Sequence, residues 1–131
     1  MATTTASLTL SSGDLTGDAL SLSTSTQLTK AGTVTGLDQT TGVARKTFTT
    51  TSIQTLIAKA DFSDDKAHKV DVRNTSSIAT ENLIVTVEAQ LLGRLYAGDF
   101  MFIPFNGDQD IKITPSVSTA MTVEFLVIYE A

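Results

Sequence analysis

The stretch "ENLIVTVEAQLL" (Glu81–Leu92) alternates without a break. Leu83, Val85, Val87, Ala89 and Leu91 fall on one face, and Ile84, Thr86, Glu88 and Gln90 on the other. Successive side chains of an extended backbone point to opposite sides, so this period of two predicts a half-buried antiparallel strand. "HKVDVRN" (His68–Asn74) repeats the pattern, with Val70 and Val72 predicted inward and Lys69, Asp71 and Arg73 outward. "AMTVEFLVIYEA" (Ala120–Ala131) starts the same way and then becomes apolar on both faces at Phe125, Leu126, Val127 and Ile128. A strand apolar on both faces is expected to be covered on both. "SIQTLIAKADF" (Ser52–Phe62) fits either a strand or a short helix, and no other segment has helical periodicity.

Between these strands lies "GRLYAGDFMFIPFNGDQDIKIT" (Gly93–Thr114), the most apolar block of the chain. Its reading is a turn at Ala97-Gly98-Asp99, a strand from Phe100 to Phe105, and a hairpin at Asn106-Gly107, both of which tolerate positive φ. Pro104 has no N–H for a ladder, which predicts an edge strand or a bulge. Phe100, Phe102 and Pro104 share one face; Met101, Ile103 and Phe105 share the other. One set is expected to fill the core. The Met101, Ile103 and Phe105 set is expected to meet an arm or a neighbouring subunit, since uncovered apolar patches mark interfaces.

The first 52 residues differ in character. Thr and Ser dominate, and the sparse apolar residues come in pairs spaced by two, Leu8 with Leu10 and Leu20 with Leu22. Gly13-Asp14 and Gly17-Asp18 are turn signals between the pairs. The sequence therefore predicts an all-β protein: an extended Thr/Ser-rich N-terminal arm with short strands over residues 1–52, and an antiparallel β-sandwich or jelly-roll-like domain over residues 53–131.

Composition narrows the function classes. The 131 residues carry 9 Lys and Arg against 14 Asp and Glu, a formal charge of -5, which disfavours nucleic acid as a partner. No cysteine is present, so neither disulfides nor thiolate metal sites are expected. The N-terminus lacks the pattern of a secretory signal, and no run nears the roughly 20 apolar residues of a membrane helix. The chain is expected to be soluble, made in the cytosol, and not bound to membrane.

No motif points to catalysis. His68 is the single histidine, no Gly-x-Ser-x-Gly elbow accompanies it, and it is read as a solvated loop residue. Asp61, Asp64 and Asp65, and Asp108 with Asp110, are oxygen-rich clusters without the spacing of a calcium loop, and are read as turn acids. Asn74-Thr75-Ser76 matches a glycosylation acceptor but is read as a turn. No catalytic residue, metal ligand or cofactor is assigned. A carbohydrate platform would want exposed Trp or Tyr, and only Tyr96 offers itself near the apolar block.

"LTGDALSLSTSTQLTKAGTVTGLDQTTGVARKTF" (Leu15–Phe48), "DDKAHKVDVRNTS" (Asp64–Ser76), "LGRLYAGDFMFIPF" (Leu92–Phe105) and "DIKITPSVSTAMTVEFLVIYE" (Asp110–Glu130) together resemble small structural proteins of tailed bacteriophages, especially marine and cyanobacterial ones. The resemblance implies a non-enzymatic virion component, made in the host cytoplasm. At this length it implies a capsid decoration or cement protein rather than a shell-forming subunit. Its expected partners are copies of itself, with a trimer favoured, and the major capsid protein. A fibre, spike or tail-associated module binding a host surface glycan is the alternative. Leu8, Leu10, Leu20, Leu22, Tyr96, Met101, Ile103, Phe105, Leu126 and Ile128 are the expected interface residues.

Overall fold

The computed structural model describes residues 2–15 and 17–131; Met1 and Thr16, both within the expected arm, lie outside the described residues. The chain divides into two compact units, one ending at Asp38 and the other spanning Gln39–Ala131. The expected boundary at 52/53 falls inside the second unit. Both units are built from antiparallel strands, and the one helical element among the described residues is a 3-10 turn at Lys59–Asp61.

In the first unit, β1 (Thr4–Ser12) pairs with β2 (Leu20–Leu28) along its whole length, from Thr4 opposite Leu28 to Ser12 opposite Leu20. These residues thus form a two-stranded antiparallel ribbon. Thr favours such a ribbon because its branched Cβ suits extended backbone. Residues after β2 fold back on its base. The Leu37 N–H donates to the Leu28 carbonyl (2.9 Å), and the Thr4 hydroxyl donates to the Leu37 carbonyl (2.8 Å). Leu28 and Leu37 are buried there.

The second unit has nine strands: β3 (Gln39–Thr40), β4 (Ala44–Phe48), β5 (Gln54–Ile57), β6 (His68–Asn74), β7 (Asn82–Val87), β8 (Gln90–Tyr96), β9 (Phe100–Phe105), β10 (Ile111–Pro115) and β11 (Met121–Tyr129). They form a sheet in the order β5-β10-β7-β8 and another in the order β3-β11-β6-β9, with β4 also paired to β11. The pairs β7 with β8, β6 with β9, β5 with β10 and β4 with β11 are nested one inside the next. They alternate between the two sheets, so one long hairpin is wrapped into a sandwich. The segment 39–52 joins this unit because β3 and β4 both lie along β11.

The core lies between the sheets. Val70 and Val72 of β6, Leu83 and Val85 of β7, Ile111 and Ile113 of β10, and Val123 and Val127 of β11 are buried, with Phe48, Leu56, Ile57, Leu95, Phe105 and Met121 around them. Each fully buried aliphatic side chain contributes roughly 1.5–3 kcal/mol. The predicted inward faces of β6 and of the first half of "ENLIVTVEAQLL" are the observed ones.

Two local predictions are overturned. "ENLIVTVEAQLL" is not one strand: it turns back at Glu88-Ala89, pairing Val87 with Gln90, and Glu88 has φ 52°. Beyond the turn the register shifts, and Leu91, expected inward, is exposed. A glutamate tolerates this strained φ because the turn is clamped by β10's approach. The Glu88 N–H donates to the Asp110 carbonyl (2.9 Å), and the Asp110 N–H donates to Glu88 Oε1 (3.1 Å). Lys59 Nζ lies 3.4 Å from the same carboxylate.

Asn106-Gly107 does not close a hairpin either. β9 and β10 belong to different sheets, and residues 106–110 cross between them. Gly107 has φ 95°, and a Cβ there would run into the Ser63 carbonyl. Glycine is needed for a close approach, a requirement that looks in the sequence like a turn signal. The Ala97-Gly98-Asp99 turn is observed, with the Asp99 N–H donating to the Tyr96 carbonyl (2.9 Å) and Gly98 at φ 83°. β9 is an edge strand, as Pro104 requires.

Two outcomes follow. Gly107→Ala is expected to destabilise the sandwich by about 2 kcal/mol or more in urea denaturation, through strain and the clash with the 63–64 backbone. The bond from the Asp110 N–H, helped by Lys59, holds the Glu88 carboxyl below its ordinary value. A depressed carboxyl stabilises the fold above the unfolded value of about 4.3, and this contribution is lost as pH falls through the folded value. Glu88→Gln is therefore expected to lower Tm at pH 7, with the gap to wild type closing as pH falls below the unfolded value.

Candidate functional site

Two of the polar side chains singled out by the sequence, His68 and Asn74, are buried in the fold. His68 is fully buried rather than solvated, because it opens β6 on the same inward row as Val70 and Val72. Its Nδ1 accepts the Glu130 N–H (3.1 Å), which leaves Nε2–H to donate to the Ser63 carbonyl (2.8 Å). Phe62, Phe105 and Tyr129 surround the ring at centroid distances of 5.6, 5.9 and 6.4 Å. Both ring nitrogens are thus bonded to backbone within a fully buried side chain.

Asn74 is likewise buried. Its Nδ2 donates to the Leu95 carbonyl (3.1 Å) and the Glu81 carbonyl (3.4 Å), and its Oδ1 accepts the Ser76 N–H (3.1 Å). The glycosylation-like triplet is a clamp between β6, β8 and the loop before β7. Among the acids, Asp110 Oδ1 accepts the Lys59 N–H and Asp65 accepts from the Asn106 amide. No group of three or more His, Cys, Asp or Glu among the described residues is placed to hold a metal ion. No helix among them is long and apolar enough to cross a membrane.

What remains are apolar faces. β9 pairs with β6 so that Met101 lies opposite Val72, Ile103 opposite Val70, and Phe105 opposite His68. Cross-strand partners point to the same side of a sheet, so Met101, Ile103 and Phe105 face the core. This reverses the expected assignment: the outward pair is Phe100 (48% exposed) and Phe102 (41%). The face of β9 is decided by its register with β6, which composition does not reveal, since both of its faces are apolar.

The outer surface of this sheet is thus a mixed one. Phe102, Asp71 and Leu126 form one row across β9, β6 and β11, and Phe100, Arg73, Glu124 and Arg45 form the next, extending to β4. The Arg73 guanidinium sits over the Phe100 ring, 4.7 Å from its centroid, and pairs with Asp71 at 3.1 Å. Leu126 and Ile128 lie half-buried on the same outer side. Tyr96, at the end of β8, is exposed. Leu8, Leu10, Leu20 and Leu22 are all exposed and share one face of the β1–β2 ribbon.

One further concavity lies in the second unit. An open groove of about 510 Å³ runs between residues 75–78 and 119–122 and is lined by Thr75, Ser76, Glu81, Thr119 and Thr122 among others. Glu81 is largely buried beside it and accepts the Ser76 hydroxyl.

No family model matches this sequence, and no curated protein or solved structure matches it. The surface reading rests on the residues alone and separates two neighbours on β9. Ile103→Asp places a charge against the core and is expected to cost at least about 3 kcal/mol in chemical denaturation. Phe102→Asp, on the outward side, is expected to change stability by less than about 1 kcal/mol. Equal losses would contradict the assigned faces.

Proposed function

We propose that this chain is a non-enzymatic virion structural protein of a bacteriophage, of the decoration or cement type, which stabilises the shell by contacts with the major capsid protein and with copies of itself. The observation that carries this reading is a β-sandwich whose outer sheet face bears exposed aromatic residues, Phe100 and Phe102. The nested pairing β4–β11, β5–β10, β6–β9, β7–β8 supports reading the domain as a jelly roll, an architecture common in viral coat and lectin domains.

The physics of such a role needs no chemistry. A protein that binds only the assembled shell stabilises it by mass action. The outer face carrying Phe100, Phe102, Leu126 and Ile128 offers apolar area for that contact, while Asp71, Arg73, Glu124 and Arg45 between the apolar positions supply orientation. A second reading, a tail or fibre module binding a host surface glycan, draws on the groove beside Glu81, whose hydroxyl lining suits sugar hydroxyls.

The test is addition of purified protein to expanded shells assembled from the major capsid protein of a tailed phage, followed by calorimetry. Saturable binding and a rise of several degrees in shell melting are expected for wild type; for Phe102→Asp the apparent affinity is expected to fall at least tenfold and the melting rise to shrink with it. Saturable binding to a glycan with no shell binding would favour the second reading.

A further inference from the structure

The β1–β2 ribbon carries a feature that shell binding does not account for. Its register places Thr4, Ala6, Leu8, Leu10 and Ser12 on one side with Leu28, Thr26, Thr24, Leu22 and Leu20 opposite them, while Thr5, Ser7, Thr9 and Ser11 share the reverse side with Gln27, Ser25, Ser23 and Ser21. One side is therefore leucine-bearing and the other is hydroxyl-bearing. Leu8, Leu10, Leu20 and Leu22 are each 39–42% exposed. Neither strand contains a charge or a proline, and the ribbon is a two-stranded sheet with no third strand among the described residues. Such a ribbon is marginal in water by itself and gains from a cover on its apolar side.

We propose that this cover is the same face of a second copy. The leucines are arranged for it. Leu10 and Leu22 lie directly opposite each other; Leu8 sits one on-face row away beside Thr24, and Leu20 one row the other way beside Ser12. The four form an S, with Leu8 and Leu20 at its ends and a small residue filling each remaining corner. Turn a second copy over onto this face about a two-fold axis lying in it, and its end leucines land on those corners. With the strands of the two copies running in opposite directions, each copy's Leu8 covers the other's Ser12, its Leu20 covers the other's Thr24, and the central Leu10–Leu22 rows stack. The contact is isologous, the commonest way two identical chains pair.

Charge selects the direction. Asp14 and Asp18 follow and precede the paired strands at the tip, with no basic residue between residues 4 and 28. A parallel overlay would bring four carboxylates together, whereas the antiparallel one sends the two tips to opposite ends. Area sets the strength. Nine pairs at about 3.4 Å and two strands at about 4.8 Å give a face of at most about 300 Å² per copy, below the roughly 800 Å² per partner of a stable complex. The pairing is therefore weak and reversible for the free protein. It becomes effective where copies are held at high local concentration, as on a shell lattice; that last step rests on the function proposed above, whereas the pairing itself does not.

Sedimentation equilibrium of the purified full chain tests it without any shell. The mass is expected to rise from 13.9 kDa at about 10 µM toward twice that value near 1 mM, corresponding to a Kd of order 100 µM. Leu22→Asp is expected to weaken association at least tenfold. Ser23→Asp puts the same charge on the reverse side of the same strand and is expected to leave it within about twofold; circular dichroism melting of both variants controls for folding. A wild-type mass that stays monomeric near 1 mM would overturn the proposal. So would growth beyond two copies, equal loss in the two variants, or Leu22-dependent binding to neutral phosphatidylcholine vesicles by a chain that does not self-associate. Shell binding by a strictly monomeric protein would reject this pairing and leave the decoration reading standing.

Discussion

The turn at Glu88-Ala89 is the constraint on which the sandwich depends. It creates the innermost pair, β7 with β8, and every other pair is nested around it. Closing a loop costs conformational entropy that grows with its length. Once β7 and β8 are joined, β6 and β9 have only the 75–81 segment and the 97–99 turn left to close. β5 and β10, then β4 and β11, follow in the same manner. A topology rich in long-range pairs needs only short effective closures if its strands pair from the inside outward. The clamp that Asp110 places on Glu88 ties β10 to this turn, so the third pair reinforces the first.

The strands whose inward face was legible in the sequence share a property: one face is apolar and the other is not. Val70 and Val72 alternate with Lys69, Asp71 and Arg73, and the burial of β6 follows directly. Pro104 marked an edge because a missing N–H has few other places to go. Illegible positions lacked such asymmetry. β9 is apolar on both faces, so its orientation waits on the register it takes with β6. The Glu88 turn contains no glycine, asparagine or proline, and is stabilised by Asp110, 22 residues away, which no local pattern displays. Gly107 was legible as a conformational requirement but not as to its purpose, since a tight turn and a close backbone approach ask for the same residue. His68 was misread for a related reason. Its neighbours Asp64, Asp65 and Lys66 give a polar average, while its place on the strand is what determines burial.

The same distinction separates the two kinds of surface. In the outer face of the β3-β11-β6-β9 sheet, charged residues of β6 interrupt the apolar ones, and the ion pairs Asp71–Arg73 and Arg45–Glu124 lie among Phe100, Phe102 and Leu126. Paired charges beside aromatics favour a partner that matches them in position, because a wrong partner would leave a charge desolvated and unpaired. The leucine face of the β1–β2 ribbon has no such discriminating element. What it can recognise is shape and row spacing, and an S of four leucines whose gaps it fills is the shape it carries itself.

An uncharged ribbon with open edges would ordinarily be an aggregation hazard, since unpaired strand edges template further pairing. Here the sequence limits the hazard in two ways. The reverse face is built from serine and threonine, so stacking of ribbons into thick layers would bury hydroxyls with no apolar gain. The tip carries Asp14 and Asp18 on a chain whose formal charge is already -5, which opposes growth in any arrangement that brings tips together. The leucine face then has one association left that buries apolar area without gathering like charge, and that association ends at two copies because it uses the face up.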